Sequence, residues 1–309
     1  MIGIVIALGN NESFAGLQEH LPFPLLPLAD KPFFQHIVEY LAGQEVTRIE
    51  FILSHLPEKI EHALGEGARW GCRFGYHLVG PGGNALQVAA TLARNIADTI
   101  ILGDAQCLPA IDLAATEPDT LITCQSNWTG WGVFTAAELI RGDFENMRRT
   151  DTATCLSFES GQAFLKSQRD VLDQKFPALL ISGRQSDPGI WIARNVALHP
   201  TARLTAPVYI GENCRIGSSA QIGPYAVIGQ NSVVDAHTIV VDSMVAPGTY
   251  VGEGLELESV IVDRNRLLNV RPETSLLTGE AFLLGALTDR TSDRFAPGCS
   301  PSSSQPACC

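Results

Sequence analysis

The residues of this chain best suited to phosphate chemistry are one carboxylate at the end of an apolar run and glycines at the ends of two others. Gly103-Asp104 closes the run Thr99 to Leu102 and offers an aspartate to a hydrated divalent cation. Gly9, Asn10 and Asn11 follow the run Ile2 to Leu8, and Gly80 to Asn84, which includes Gly82 and Gly83, follows Arg73 to Val79. Glycines at strand ends can turn backbone N–H groups towards phosphates. They also serve as plain turns, and spacing alone leaves both readings open.

These segments can act together only if a fold gathers them. Ile2 to Leu8 is short, apolar and rich in Ile and Val, as a buried parallel strand is. Phe33 to Ala42 carries apolar residues at helical spacing, Arg48 to Leu53 reads as a second strand, and Glu58 to Leu64 as a helix. Arg73 to Val79 is then a strand, Ala85 to Ile96 a helix and Thr99 to Leu102 a strand. Such alternation predicts a doubly wound, Rossmann-like α/β sheet, which binds ligands beyond the carboxyl ends of its strands. All three candidate segments lie at such ends.

The second half follows a different period. From Ile192 through Leu198 and Leu204 to Val240, an aliphatic residue returns at every sixth position, and a mostly small residue stands four places after each, ending with Met244. A period of six matches neither a helix nor an isolated strand and is the hexapeptide signature of a parallel β-helix. Nine hexads make three coils of a triangular prism with an aliphatic interior. The hexads resemble those of the left-handed β-helix family, and the resemblance supplies the handedness. The pattern breaks at Ala246-Pro247-Gly248 and resumes near Val251. Ile261, Val262, Leu267, Leu268 and Val270 are expected to cover the open end, and the prism to pack on the first domain or on a second copy of the chain.

The 309 residues are 45% hydrophobic and 17% charged, which suits a globular chain of two domains, here 1–185 and 186–275, with a disordered tail at 285–309. A net charge of -12 argues against nucleic acid and anionic membranes as partners. No apolar run reaches the roughly 18 residues of a membrane span, and Met1 to Leu8 lacks the basic leader of a signal peptide, so a cytoplasmic location is expected. The eight cysteines show no CxxC spacing and read as buried or free thiols.

A family resemblance adds to these readings. Pro22-Phe23-Pro24-Leu25-Leu26-Pro27-Leu28-Ala29-Asp30-Lys31-Pro32 resembles the segment after the nucleotide loop of sugar-1-phosphate nucleotidyltransferases, the NDP-sugar pyrophosphorylases. Ile6-Ala7-Leu8-Gly9, Gly80 to Leu86, Leu102-Gly103-Asp104 and Gly130-Trp131-Gly132-Val133-Phe134 are similar to further motifs of that family, some of whose branches carry a left-handed β-helix after the catalytic domain. The resemblance implies that a nucleoside triphosphate or NDP-sugar is held by Leu8, Gly9, Asn10, Asn11, Gly82 and Gly83. Mg2+ would be held by Asp104, with Glu159 as a substitute for the second metal carboxylate. In the implied reaction a sugar phosphate oxygen attacks the α-phosphorus and pyrophosphate leaves, chemistry that depends on charge neutralisation.

The cationic groups are where the chain departs from the family. Its loop Gly-x-Gly-Thr-Arg aligns with Gly9-Asn10-Asn11-Glu12-Ser13, the lysine of Pro-Lys-Pro with Phe23, and no Glu-Lys-Pro lies between Thr120 and Asn127. Each missing cation raises the barrier by about 3 kcal/mol, judged from the loss of one preorganised donor elsewhere. Lys31 remains, in a position expected to order the loop. The expectation is therefore a degenerate nucleotidyltransferase, weak or inactive, acting as a nucleotide or sugar-nucleotide binding or regulatory subunit beside its own copies or an active paralogue. An active NDP-sugar pyrophosphorylase is the first alternative. A hexapeptide-repeat acyltransferase using His237 is the second, although His237 stands at an outward hexad position.

Overall fold

The computed structural model describes residues 1–8, 14, 17, 21–80, 82–176, 179–271, 274–280 and 282–287. The first half alternates as expected: β1 (Ile2–Ala7), α1 (Phe33–Gly43), β2 (Arg48–Leu53), α2 (Pro57–Leu64), β3 (Arg73–Leu78), α3 (Ala85–Ala93) and β4 (Ile100–Asp104). There follow β5 (Cys107–Pro109), β6 (Thr120–Cys124), β7 (Asn127–Phe134), α4 (Ala136–Arg141), β8 (Arg148–Thr152), β9 (Cys155–Ser157) and α5 (Gly161–Leu172). Seven strands form one sheet in the order β8-β6-β7-β4-β1-β2-β3, and β9 pairs with β5 separately.

From β4 to β3 this sheet is parallel, but β7 runs antiparallel to both β4 and β6. It is thus a mixed α/β sheet, where the alternation alone predicted only parallel pairing. The cause is the two-residue turn Gln125-Ser126, in which both residues have positive φ, 51° and 68°. That conformation matches the twist of a tight hairpin and folds β6 back onto β7. Neither residue is the Asn or Gly that makes such a turn visible in a sequence.

Alternate side chains of the strands enter two cores. Val5, Phe51 and Ile101 face one core with Phe33, Phe34 and Ile37 of α1 and Phe164 of α5. Ile4, Ile52 and Ile100 face the other with Ala85, Ala89 and Ala93 of α3 and Leu139 of α4. Burial on both faces explains the unbroken apolar runs of the central strands.

The hexads fold into three sheets that the chain visits in turn. One holds Ile190–Ile192, Val208–Ile210, Ala226–Ile228, Met244–Val245 and Val260–Asp263; the second starts at Ala197–Leu198 and the third at Arg203–Leu204. Paired residues are eighteen apart at first, as in Val208↔Ala226, and seventeen apart later, as in Val227↔Met244. Ile210, Ile216, Ile222, Ile228, Val234 and Val240 all lie in the interior cluster, together with Val245, Val251 and Leu257. A fourth circuit therefore follows the three expected.

The interruption of the hexads falls at Asp242-Ser243 and not at Ala246-Pro247-Gly248. Interior Val240 and Val245 are one residue closer than a hexad. Asp242 turns with φ +49°, and buried Ser243 fills the small corner, where its Oγ donates to the Val241 carbonyl at 2.7 Å. Met244, counted as a corner residue, consequently points outward. There it joins Trp191, Tyr209, Val227 and Ile261 in the same core as α1 and α5, so the hexad stack packs directly on the α/β region. Arg169 of α5 adds a fork to Asp242, with Nε 2.6 Å from Oδ1.

The open end is closed by antiparallel strands. Val260–Asp263 pairs with Arg266–Asn269, which pairs with Thr274–Leu277. Leu284–Ala286 pairs with Thr249–Val251, so Gly285 and Ala286, expected in the tail, belong to a strand; residues 288–309 lie outside the described residues. Among the described residues no helix is long and apolar enough to cross a membrane.

Candidate active site

The carboxyl ends of β1 and β4 open into a cleft of about 580 Å³. Parallel pairing sets Asp104 opposite Ile6, two residues before Leu8. α3 starts at the same cleft: its N-cap Asn84 accepts the backbone N–H of Leu86 on Oδ1 at 2.9 Å, and Gly83, Asn84, Ala85 and Leu86 all line the wall. The opposite wall is β7 with Trp128, Thr129 and Gly130, and Glu159, just before α5, completes the lining.

Of the residues proposed from sequence, the cleft brings together Leu8, Gly83, Asp104 and Glu159. Leu8 is 40% exposed, and its carbonyl accepts the Ser54 hydroxyl at 2.5 Å. Gly82 forms the turn with φ +76°, which favours glycine, but is not among the lining residues. Gly9, Asn10 and Asn11 lie outside the described residues. Sequence reasoning missed Trp128 and Thr129, quoted Gly130 only as part of a family-like strand, and carried Asn84 as the end of a candidate segment without a role of its own. The Asn84 signal was present, as a polar residue just before an apolar helix. That of Trp128 was not, because a tryptophan in a strand reads as core.

Asp104 is tightly framed. Its Oδ1 accepts the Gln106 backbone N–H at 2.9 Å, and its carbonyl accepts the indole N–H of buried Trp131 at 3.0 Å. Gly130 has φ +79°, and a Cβ there would stand 2.5 Å from that of Asp104, so glycine permits β7 this close approach. Burial pushes the Asp104 carboxyl above the ordinary aspartate range, the Gln106 N–H opposes the shift, and the negative charge of Glu159 adds to it. A half-buried carboxyl that feels a second carboxylate is the electrostatic arrangement that a divalent cation relieves. Two oxygen-donor carboxylates suit Mg2+, which keeps several waters and takes its remaining ligands from phosphates. Among the described residues no group of three or more potential metal ligands occurs, so any such ion would depend on its substrate for further ligands.

Cations are missing from this picture. Among the described residues no lysine or arginine lines the cleft, and the sequence from Gly9 to His20 contains none either. Lys31 is engaged by Glu39 at 2.8 Å, away from the cleft, as expected of a loop-ordering lysine. Phe23, aligned with the family's lysine, is fully buried in the core with Phe33. The alternative acyltransferase residue His237 is exposed, at φ +59° on a corner of the hexad stack.

No family model matches the sequence. The chain is 30% identical over 115 residues to the mannose-1-phosphate guanylyltransferase of Mycobacterium tuberculosis, covering 36% of this chain and 31% of that protein. It is 28% identical over 80 residues to the UTP–glucose-1-phosphate uridylyltransferase of Synechocystis, covering 26% and 21%. Both of these curated relatives are sugar-1-phosphate nucleotidyltransferases. The chain spans less than a third of the length of either. Solved structures that resemble it include a provisionally named glucose-1-phosphate thymidylyltransferase from Bacillus anthracis in complex with sucrose, with TM-score 0.48 and 14% identity over 55% of this chain and 94% of that one. HddC from Yersinia pseudotuberculosis gives TM-score 0.45 and 12% identity over 55% and 99%.

Proposed function

We propose that this chain is a nucleotidyltransferase-like protein of nucleotide-sugar metabolism that binds a nucleoside triphosphate or NDP-sugar with Mg2+ but turns over weakly or not at all. The observation that carries the proposal is the composition of the cleft: two carboxylates and a helix N-terminus, with no lysine or arginine among its described lining residues. Asp104 and Glu159 would hold the ion, which when bound neutralises phosphate charge. The N-terminus of α3 would bring backbone N–H groups to phosphate oxygens as the Asn84 side chain yields them, beside the Gly83 turn whose own N–H is held by the Gly80 carbonyl at 2.9 Å, and exposed Trp128 would offer an aromatic face to a base or sugar. Binding needs these groups alone. Transfer needs in addition cations around the α-phosphate, and the described lining of the cleft does not supply them.

In this reading the hexad stack is a left-handed β-helix that supports the first domain, the location is cytoplasmic, and the role is to sense a sugar nucleotide or to regulate an active paralogue, with or without a second copy of the chain. The alternative of an active pyrophosphorylase is favoured by one observation, that Glu159 lines the same cleft as Asp104 and its charge acts on the Asp104 carboxyl. Calorimetric titration with each common nucleoside triphosphate and NDP-sugar, with and without Mg2+, tests the binding claim. At least one ligand is expected to bind in a Mg2+-dependent manner, with the effect lost in Asp104→Asn; absence of binding by every ligand would overturn it.

A further inference from the structure

Beside the cleft lies a second cavity of about 400 Å³ with three cysteines in its lining, Cys107, Cys124 and Cys155. They come from three strands. In the antiparallel pair β5 and β9, Ser157 stands opposite Cys107 and Cys155 opposite Pro109, so Cys107 and Cys155 share a face as diagonal neighbours. Cys124 ends β6, and its Sγ lies 2.9 Å from that of Cys155. That separation is only about 1 Å longer than a covalent S–S bond. Cys107 is buried, whereas Cys124 and Cys155 are partly exposed.

The geometry points to Cys155 as a hydroperoxide-reactive thiol that Cys124 resolves into a reversible disulfide between β6 and β9. Three further features fit this assignment. The cavity gives solvent access to both sulfurs, and Lys166 of α5 stands in its wall. Hydrogen bonding from Cys107 first, then from Cys124, and the Lys166 charge draw the Cys155 thiol down against burial and the Glu159 charge, so it is the most readily ionised of the trio. Burial pushes Cys124 up to about 12, which keeps it a thiol until it attacks.

The chemistry balances with a hydroperoxide as the oxidant. The Cys155 thiolate attacks one peroxide oxygen; an S–O bond forms, the O–O bond breaks, and the alkoxide or hydroxide leaves and takes a proton. Sulfur has then lost two electrons and the peroxide has gained them, which leaves a sulfenic acid. Cys124 next attacks the Cys155 sulfur, an S–S bond forms, the S–O bond breaks, and hydroxide departs as water with the Cys124 proton. Cys107, Trp128, Thr129 and Glu159 line both this cavity and the acid cleft, whereas Cys124 and Cys155 line this cavity alone, so the crosslink would form beside the shared wall and outside the cleft.

The test uses the full reduced chain, treated with one equivalent of hydrogen peroxide, quenched with an alkylating agent, digested and sequenced by tandem mass spectrometry. The expected product is a Cys124–Cys155 crosslink that dithiothreitol reverses. Cys124→Ser should instead accumulate a sulfenic acid at Cys155 that dimedone traps, and Cys155→Ser should slow peroxide consumption by about tenfold or more. A crosslink from Cys155 to Cys107 would overturn the role given to Cys124. Absence of both crosslink and sulfenic acid in the folded wild-type chain would overturn the whole proposal.

Discussion

The hexad stack and the acid cleft are built on opposite principles. In the stack one chemistry repeats: Ile210, Ile216, Ile222 and Ile228 occupy equivalent interior places, and a shortened circuit is absorbed by Asp242 and Ser243 at one corner. In the cleft unlike residues converge with no sequence period. Leu8, the Gly83-Asn84 turn, Asp104, Trp128 and Glu159 come from different stretches of the chain, which the sheet order gathers. Regularity in this chain therefore marks packing, and the chemistry lies where regularity stops. The two meet at one surface, where Trp191, Tyr209, Val227, Met244 and Ile261 turn the outside of a prism face into part of the α/β core.

Substitutions can break this division, and the largest effect should come from within the stack. Ile228→Asp places a charge in a fully buried aliphatic interior and is expected to cost more than about 4 kcal/mol in urea unfolding. Met244→Ala, at the shared surface, should cost about 3 kcal/mol. An unchanged midpoint there would show that the two regions do not depend on each other. Arg169→Ala removes a partly exposed fork to Asp242 and should cost only about 1 kcal/mol by the same measurement.

The smallest effect on stability belongs to the site itself. Because the Asp104 carboxyl is raised above its ordinary value, its contribution to stability is full below the unfolded-state pKa and is lost as pH rises through the raised folded-state value. Asp104→Asn should therefore leave stability unchanged at acid pH and raise it slightly at neutral pH. Cation binding has the opposite dependence, since it needs the carboxylate, and Mg2+ affinity should rise with pH over the same interval. Parallel urea and titration series at several pH values check both signs.

Much of the fold was legible in the sequence because it rests on periods. β2, bounded by Arg48 and Leu53, carries the apolar residues Ile49, Phe51, Ile52 and Leu53 in a short segment, as a buried strand does, and the aliphatics from Ile210 to Val240 count themselves off in sixes. What escaped depends on single turns. The reversal at Gln125-Ser126 uses positive φ at residues that do not advertise it, and the dropped residue at Asp242-Ser243 is invisible to a count that reaches Met244 in step. Asp104 and Gly83 stood out because they stand at strand ends and within motifs resembling those of the family, since spacing alone would also fit plain turns. Trp128 did not, because its exposure is decided by β7 running along the rim of the cleft. Phe23 shows the same limit from the other side. Alignment gives it the place of a lysine, but it packs against the core, and Phe23→Lys would bury a charge instead of restoring one to the cleft.

The central claim is that the cleft retains the means to bind and lacks the means to transfer. Pyrophosphate release, measured with saturating Mg2+ and each nucleoside triphosphate against a panel of sugar 1-phosphates, tests it most directly. The expected result is release at or near the background rate under conditions where calorimetry shows the nucleotide bound. Rapid, Mg2+-dependent release that disappears in Asp104→Asn would contradict it and identify the protein as an active pyrophosphorylase.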